Sequence, residues 1–454
     1  PGDGVMTIRL DSLNGPVWKK FVVPSTKGEN KFFGIEVSPV AGVHNLHFSY
    51  YSKQLEKDDY TSILFDFFHF GQTLPGKGKP GYDSTYSKFM SLLSKKVPNT
   101  PVMIENPPDL HRETNIFERG NWLVKGDKVE AAVPRIFNPM PANMPKNRLG
   151  LAMWLTDKKN PLTARAMVNR LWEQLFGNGI VETLDDFGTQ GAIPTHQELL
   201  DWLSWQFMND YKWSLKKLLK TMVMSATYRQ QSKVSPELFE KDPYNRLYAR
   251  GPRIRLSAEQ VRDQALMISG LLSEKMYGPG IMPYQPKGIW NSPYSPEQWY
   301  QSKGEDQYRR AVYIYWKRTA AYPSMMTFDA TTREVCSAKR IRTNTPLQAL
   351  VMLNDSTYLE MARYFAYRLK KESGGNIQQQ IKKGYEQAAG HAINEKNLLV
   401  LMNLYETALA KFKKDKDKTC EMIGMNNEHN NPETAALVVV TNAILNLDEV
   451  IMKS

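Results

Sequence analysis

The sequence has few cysteines and no long apolar segment. Its two cysteines, Cys336 and Cys420, are too few for a disulfide framework and lack the spacing of a zinc site or a thiol-redox motif. The Cys-x-x-Cys-His signature that attaches c-type haem is absent. The longest apolar stretch, residues 435–447, contains polar residues and is shorter than the roughly 18 to 20 residues of a membrane-spanning helix. The sequence therefore predicts no haem attached to this chain and no transmembrane segment.

Acidic residues are fewer than basic ones, 47 against 59, which leaves a net charge of +12. This charge permits attraction to nucleic acid, anionic lipid or acidic glycans. The cations are spread along the chain, and the lysine-rich segment 411–418 also contains Asp415 and Asp417, so a solvated surface is the simpler interpretation. No helix-turn-helix, zinc-finger or RNA-binding signature is present, and we predict no nucleic-acid partner.

The length of 454 residues predicts a multidomain protein, because single hydrophobic cores stop growing at smaller sizes. We predict a partial, jelly-roll-like β-sandwich over residues 1–72, a linker over residues 73–100 with a short helix at 87–93, and a mainly α-helical domain over residues 101–454 with a small β-element at 101–135. The predicted strands of the sandwich are 5–10, 17–23, 32–37, 44–51 and 63–70. The predicted helices are 163–176, 198–209, 215–225, 258–272, 346–371, 377–389, 395–412 and 432–445.

Several motifs in the first 72 residues occur together. They are Ile8-Arg9-Leu10-Asp11, Gly15-Pro16, Val22-Val23-Pro24, Gly42-Val43-His44-Asn45-Leu46 and Phe65-Asp66-Phe67-Phe68. This region resembles the C-terminal half of a family-six carbohydrate-binding module. The resemblance implies that earlier strands lie upstream in a longer polypeptide, and that Asp66 is a ligand of a structural calcium ion. That family often has Asn where this sequence has Leu64.

Sugar binding by such a module needs exposed aromatic faces. Trp18, Tyr50 and Tyr51 are the candidates in the predicted strands. Packing in the core of the sheet is the alternative for at least one of them.

A second set of motifs lies in the helical region. It consists of Asn160-Pro161-Leu162-Thr163-Ala164-Arg165, Val168-Asn169-Arg170, Asp185-Asp186-Phe187-Gly188, Ser225-Ala226-Thr227-Tyr228-Arg229-Gln230, Arg250-Gly251-Pro252-Arg253, Phe328-Asp329-Ala330, Arg333-Glu334-Val335-Cys336 and Arg342-Thr343-Asn344-Thr345-Pro346-Leu347-Gln348. From about Arg112 to Val450 the chain resembles the planctomycete-type surface domain of unknown function (domain of unknown function 1553) that accompanies c-type cytochrome domains. The resemblance implies an exported protein that is periplasmic, outer-membrane-associated or on the cell surface, with other cell-envelope proteins, including cytochromes, as partners. Any haem would lie on an upstream segment or on such a partner.

The segment Phe328–Gln348 concentrates charge. Asp329 and Glu334 are candidate acid or base groups, and Arg333 completes a candidate catalytic set. The guanidinium groups of Arg333, Arg340 and Arg342 have the geometry to bind carboxylate, sulfate or phosphate in a bidentate manner. The alternative is that these groups pair with one another around the helix start at Thr345-Pro346.

Other polar residues form a candidate anion pocket or internal polar network. This set is Asn169, Arg170, Arg229, Arg253, Arg340, Arg342 and Asn344. Asp185 and Asp186 suit either a hard cation or a turn. Cys336 has no histidine nearby in sequence, so a small buried residue is favoured over a nucleophile.

Three functional hypotheses follow. The first is an exported cell-envelope or surface protein that binds carbohydrate or serves glycan utilisation. The second is a carbohydrate-active enzyme centred on Asp329 and Glu334. The third is an electron-transfer accessory whose haem resides elsewhere.

Overall fold

The computed structural model describes residues 4–26, 33–53, 63, 65, 68, 70–71, 75–93, 95, 97, 101–106, 110–291, 298–424 and 428–453. The chain forms two compact units, Pro1–Arg112 and Glu113–Ser454. Each unit has its own secondary structure.

The first unit contains a three-stranded antiparallel sheet. Strands β1 (Gly4–Leu10), β2 (Val17–Val23) and β3 (Leu46–Tyr51) are arranged in the order β2-β1-β3. On β1, Met6 and Ile8 alternate with less buried residues, which is the pattern of a strand with one buried face. These three predicted strands are confirmed, with β3 beginning two residues later than expected.

The other two predicted strands have different outcomes. Residues 33–37 form irregular backbone rather than the predicted strand, so that prediction is wrong. The predicted strand 63–70 lies partly outside the described residues, but the rings of Phe65 and Phe68 lie 5.0 and 5.1 Å from that of Phe48 on β3. Within the predicted linker, helix α1 (Tyr82–Leu93) is longer than the expected short helix.

The second unit begins with a β-hairpin and continues as helices. Strand β4 (Thr114–Phe117) pairs with β5 (Lys125–Val129) inside the predicted β-element at 101–135. Residues 102–104 of that predicted element belong to the first unit and have irregular backbone. The helices are α2 (Arg148–Leu155), α3 (Thr163–Phe176), α4 (Gln197–Asn209), α5 (Leu215–Met224), α6 (Pro236–Lys241), α7 (Ala258–Ser269), α8 (Pro323–Thr327), α9 (Pro346–Asn354), α10 (Ser356–Ser373), α11 (Ile377–Ala389), α12 (Glu395–Phe412), α13 (Lys416–Ile423), α14 (Pro432–Leu445) and α15 (Asp448–Ile451).

Four predicted helices, α3, α11, α12 and α14, have the expected bounds. The predicted helix 346–371 is instead two helices, because Asp355 adopts an extended conformation with ψ of 132°. Its carboxylate accepts a hydrogen bond from the Thr357 backbone N–H at 2.8 Å and so caps a new helix. The apolar spacing continues across this break, which is why periodicity alone does not reveal it.

Helices of the second unit pack around two hydrophobic cores. The smaller core joins α3, α4 and α5, and the larger one joins α7 to α15. Helix α14 is buried on almost every side in the larger core, which explains its uniformly apolar sequence. Among the described residues, no helix has both the length and the apolar character to cross a membrane.

A short two-stranded sheet lies near the end of the chain. Strand β6 (Ile254–Arg255) pairs antiparallel with β7 (Met452–Lys453), with Ile254 opposite Lys453 and Arg255 opposite Met452. This pairing brings the last residues of the chain beside the motif that ends at Arg253.

Candidate functional site

Asp329 lies at the centre of a polar network. Its carboxylate accepts hydrogen bonds from the guanidinium of Arg255, from the backbone N–H of Thr343 at 2.8 Å and from the Thr343 hydroxyl at 2.9 Å. The Gln348 side-chain amide donates to the same hydroxyl at 3.1 Å and to the Thr327 carbonyl at 3.0 Å. Both carboxylate oxygens are therefore occupied, and the network ties the two ends of the charged segment together.

Arg255 is the buried cation of this network. Its side chain is only 3% exposed, and burial lowers the pKa of its guanidinium despite the adjacent Asp329. The guanidinium also donates to the carbonyls of Thr343 at 2.6 Å, Leu256 at 3.0 Å and Phe328 at 3.3 Å. A buried charge with this many partners anchors the surrounding loops.

Arg333 and Glu334 are exposed and have different surroundings from Asp329. The Arg333 guanidinium lies 4.7 Å from the centre of the Trp316 ring, and Glu334 has no side-chain partner among the described residues. No contact between described residues joins the three members of the candidate catalytic set. Their catalytic role stays a prediction, and the contacts of Asp329 favour a structural role for it. Cys336 is also exposed, so the expectation that it is buried is wrong.

The next two arginines of the segment contact separate carboxylates. Arg340 donates to both oxygens of Glu259, at 3.0 and 2.7 Å, and thereby holds the segment against the first turn of α7. Arg342 is 19% exposed and lies 3.8 Å from the Glu173 carboxylate, which is 4% exposed. Gln174 donates to Glu173 at 2.6 Å. Glu173 is a partner that the sequence prediction did not include, because it lies on α3 among the buried residues Trp172 and Phe176.

Lys453 adds a second cation near Arg342. Its ammonium donates to the Leu175 carbonyl and lies 4.2 Å from the centre of the Tyr228 ring. Burial and the charge of Arg342 lower the pKa of Lys453 to about 8. Arg342 therefore has both the Glu173 carboxylate and the Lys453 ammonium among its charged neighbours.

Asn169 is fully buried, and its side-chain amide forms hydrogen bonds with the backbone. Its amide donates to the Val181 carbonyl at 2.8 Å and accepts from the Val181 N–H at 2.9 Å. This exchange fixes the loop after α3 to the helix, which is the internal alternative that the sequence left open for this residue.

The remaining members of the predicted polar set are exposed. Arg253 pairs with Asp448, whereas Arg170, Arg229 and Asn344 have no side-chain partner within the described part of the chain. No hydrogen bond or ion pair between described residues joins these four side chains directly, and their role as an anion pocket stays a prediction.

The adjacent aspartates form a turn. Asp186 accepts a hydrogen bond from the Gly188 N–H at 2.7 Å, and the Thr183 hydroxyl donates to the Asp186 carbonyl at 2.7 Å. Among the residues that the structure describes, no group of three or more His, Cys, Asp and Glu side chains is arranged to hold a metal ion. The possible calcium ligand Asp66 lies outside those residues.

The three aromatic candidates of the first unit do not share one face. Tyr50 stands opposite Met6, and its neighbour Tyr51, which is exposed, stands opposite Val5. Because successive residues of a strand point to opposite sides, Tyr50 and Tyr51 project in opposite directions. The Trp18 ring packs 5.9 Å from that of Phe70. Their role in sugar binding stays a prediction, and they cannot act as one stacking platform.

A groove in the second unit is lined by residues that no sequence motif indicates. It has a volume of about 520 Å³, and its lining includes two tryptophans of α4, Trp202 and Trp205, which are 48% and 54% exposed. Residues three apart on a helix share a face, so both indoles stand on the same side. The opposite side of α4 packs Leu200, Leu203 and Phe207 into the smaller core. We call this feature the tryptophan groove.

An ion pair lies in the tryptophan groove. Arg165 donates through Nε to the Asp201 carboxylate at 2.7 Å and through Nη1 to the Pro161 carbonyl at 2.6 Å. Both partners also line an adjoining cavity of about 270 Å³. The position of Trp202 and Trp205 outside the apolar spacing of α4 is the sequence signal that could have revealed the groove.

These features define a mainly α-helical unit with two cores, a buried ion network between loops and an aromatic groove. A family model described as "PSD1: Protein of unknown function (DUF1553)" matches residues 147–405, more than half of the chain. The chain belongs to this family, which confirms the family assignment made from the motifs. Comparison with curated proteins and with solved structures gives no match. The resemblance of the N-terminal strands to a carbohydrate-binding module stays a prediction.

Proposed function

We propose that this chain is an exported protein of the cell envelope or cell surface that binds glycans, and that the tryptophan groove is a glycan contact. The observation that carries the proposal is the pair of half-exposed indoles on one helix face, in a groove that also contains charged side chains. Single exposed apolar side chains are common on protein surfaces, but two large aromatic rings side by side in a groove are typical of a binding surface.

The chemistry of the groove suits a sugar ring. One face of many pyranose rings is covered by C–H groups, which pack against the electron-rich face of an indole. The hydroxyl groups at the ring edge need hydrogen-bond partners, and Arg165 and Asp201 supply a donor and an acceptor there. An apolar platform with a few polar groups is the usual composition of a small-ligand site.

Family membership and the carbohydrate-binding resemblance support export and a cell-envelope setting. Cytochromes are proposed partners, and the electron-transfer alternative requires haem from a partner or another segment, because this sequence has no haem attachment motif. The enzyme alternative centred on Asp329 and Glu334 is less favoured, because both oxygens of Asp329 already accept hydrogen bonds from the protein.

Affinity electrophoresis in gels that contain soluble polysaccharides tests the proposal, with calorimetry on each polymer that retards the protein. We expect the double variant W202A/W205A to lose at least tenfold in affinity, since each stacked aromatic contributes roughly 1 kcal/mol. The matched control is W122A, which removes an exposed tryptophan from the hairpin of the same unit.

The outcomes separate the possible sites. If W202A/W205A is still retarded by a polysaccharide and W18A/Y51A is not, the glycan site lies on the N-terminal sheet and not in the tryptophan groove. No retardation by any polysaccharide of a broad panel would overturn the proposed function. Circular dichroism of each variant checks that the fold is retained.

A further inference from the structure

We infer that the tryptophan groove selects acidic glycans, whose sugars carry carboxylate or sulfate groups; this inference rests on the proposed function. The groove places cationic side chains beside the two indoles. Its charged lining consists of Lys158, Lys159, Arg165 and Asp201.

The charges of the groove do not cancel. Arg165 and Asp201 neutralise one another through their ion pair at 2.7 Å. Lys158 and Lys159 are exposed, and neither ammonium has a carboxylate partner among the described residues. Three cations against one carboxylate give the lining a net charge of +2. The nearby Asp157 accepts a hydrogen bond from the Lys159 backbone N–H at 2.8 Å and is not part of the lining.

The local backbone holds these groups in place. The buried Asn160 accepts hydrogen bonds from the N–H groups of Leu162 and Thr163, at 3.0 and 3.2 Å, and so fixes the turn that leads from the lysines into α3. Arg165 then projects from the first turn of α3 toward Asp201 on α4. The lysines and the indoles therefore border one cavity although they come from different segments.

Arg165 retains binding capacity toward an anion. Its Nε and Nη1 donate to Asp201 and Pro161, and no partner among the described residues accepts from Nη2. Nη2 can donate a charge-assisted hydrogen bond to a carboxylate or sulfate oxygen, while the two lysines contribute as point charges. The indoles bind the sugar ring, and the cations bind its acidic substituent. A polyanion without sugar rings would contact the cations of the groove but not stack on its indoles.

Paired polymers with the same sugar and different charge test the inference on the full chain. Polygalacturonate is compared with its fully methyl-esterified form, and dextran sulfate with dextran. We expect at least tenfold tighter binding to the acidic member of one pair. Polyglutamate and single-stranded DNA serve as anionic probes that lack the pyranose ring, and we expect both to bind at least tenfold more weakly than that polymer.

Charge variants locate the effect. We expect K158Q/K159Q to weaken binding of the acidic polymer about tenfold, from two exposed charge contacts, and so to reduce the preference for the acidic over the neutral member of the pair. The control K216Q/K220Q removes two exposed lysines from α5, so the net charge of the protein falls by the same amount. A salt titration should show a smaller salt dependence for the first variant only.

The results distinguish the inference from the proposed function. Equal affinity for both members of each pair, or equal losses in the two lysine variants, would overturn the preference for acidic sugars and leave glycan binding intact. Binding of polyglutamate or DNA as tight as that of the acidic glycan would overturn it in favour of charge alone. No binding to any of the four polymers would overturn the inference. Affinity electrophoresis on the broad polysaccharide panel then decides whether the proposed glycan binding also fails.

Discussion

Replacement of Asp329 by alanine should strongly destabilise the second unit. The change leaves the guanidinium of Arg255, 3% exposed, without its counter-charge. Loss of one partner of a buried ion pair costs about 3 to 5 kcal/mol, and the 21% exposure of Asp329 favours the lower end, about 3 kcal/mol. The backbone at Asp329 has φ of 61°, where alanine is disfavoured by a further ~1 kcal/mol. We expect a total near 4 kcal/mol.

Urea-induced unfolding followed by far-ultraviolet circular dichroism measures this effect as a shift of the transition midpoint. D329N is the matched control, because asparagine tolerates the left-handed backbone and keeps one acceptor oxygen for Thr343. We expect D329N to cost about 1 to 3 kcal/mol, the penalty of an imperfectly paired buried group. The pair R255M and R255M/D329A completes a double-mutant cycle with an interaction energy of about 2 to 3 kcal/mol.

A D329A variant within about 1 kcal/mol of the wild type would refute the anchoring role of the network. Additive effects in the cycle would show that Arg255 and Asp329 stabilise the fold independently. Full stability of D329N together with loss of an enzymatic activity would instead support the catalytic alternative.

Three further predictions concern pH and packing. The pKa of Lys453 is lowered to about 8, so the unfolded chain binds more protons than the folded one between pH 8 and 10.5. Over this range the wild type should gain stability relative to K453M as the pH rises. Free energies of urea unfolding that change in parallel with pH in the two proteins would contradict this. Hydrogen bonds from Arg368 and Lys383 lower the pKa of Glu372 to about 2. As the pH falls from 4.5 to 2, the wild type should therefore lose stability relative to E372Q. Acid titration followed by circular dichroism measures this loss. In G384A the new Cβ would lie 2.7 Å from a methyl carbon of the buried Leu369, and this clash should lower the free energy of urea unfolding by about 1 to 3 kcal/mol. The control G375A places its Cβ in open space and should leave the urea midpoint nearly unchanged. Equal effects of the two variants would refute the packing argument.

Much of the helical unit follows from local sequence. Helix α3 begins and ends where its apolar spacing and Gly177 predict, and Gly177 adopts the left-handed conformation with φ of 84° that ends such helices. The start of α9 at Pro346 is equally local, since Gln348 accepts a hydrogen bond from the Thr345 N–H at 3.2 Å. These signals act within a few residues, so they can be read without the tertiary structure.

Contacts between residues far apart in the sequence cannot be predicted from such local signals. Asp329 is predicted as a functional group from its motif, but its partner Arg255 lies 74 residues away and receives no assignment from the sequence. Glu173 and Lys453 likewise meet Arg342 only through the packing of α3 and the pairing of β6 with β7. Solvent exposure is a further tertiary property, and it separates Trp202 and Trp205 from the tryptophans that are buried in the cores.

The sequence by itself determined the family, the main helices and the concentration of charge in Phe328–Gln348, because motifs, periodicity and caps are local. Only the tertiary structure decided that Asp329 is bound on both oxygens, that Arg333 and Glu334 face solvent and that two tryptophans border a cationic groove. The physical reason is that pairing and exposure depend on which distant segments pack together. That packing is a sum of many weak contacts over the whole chain.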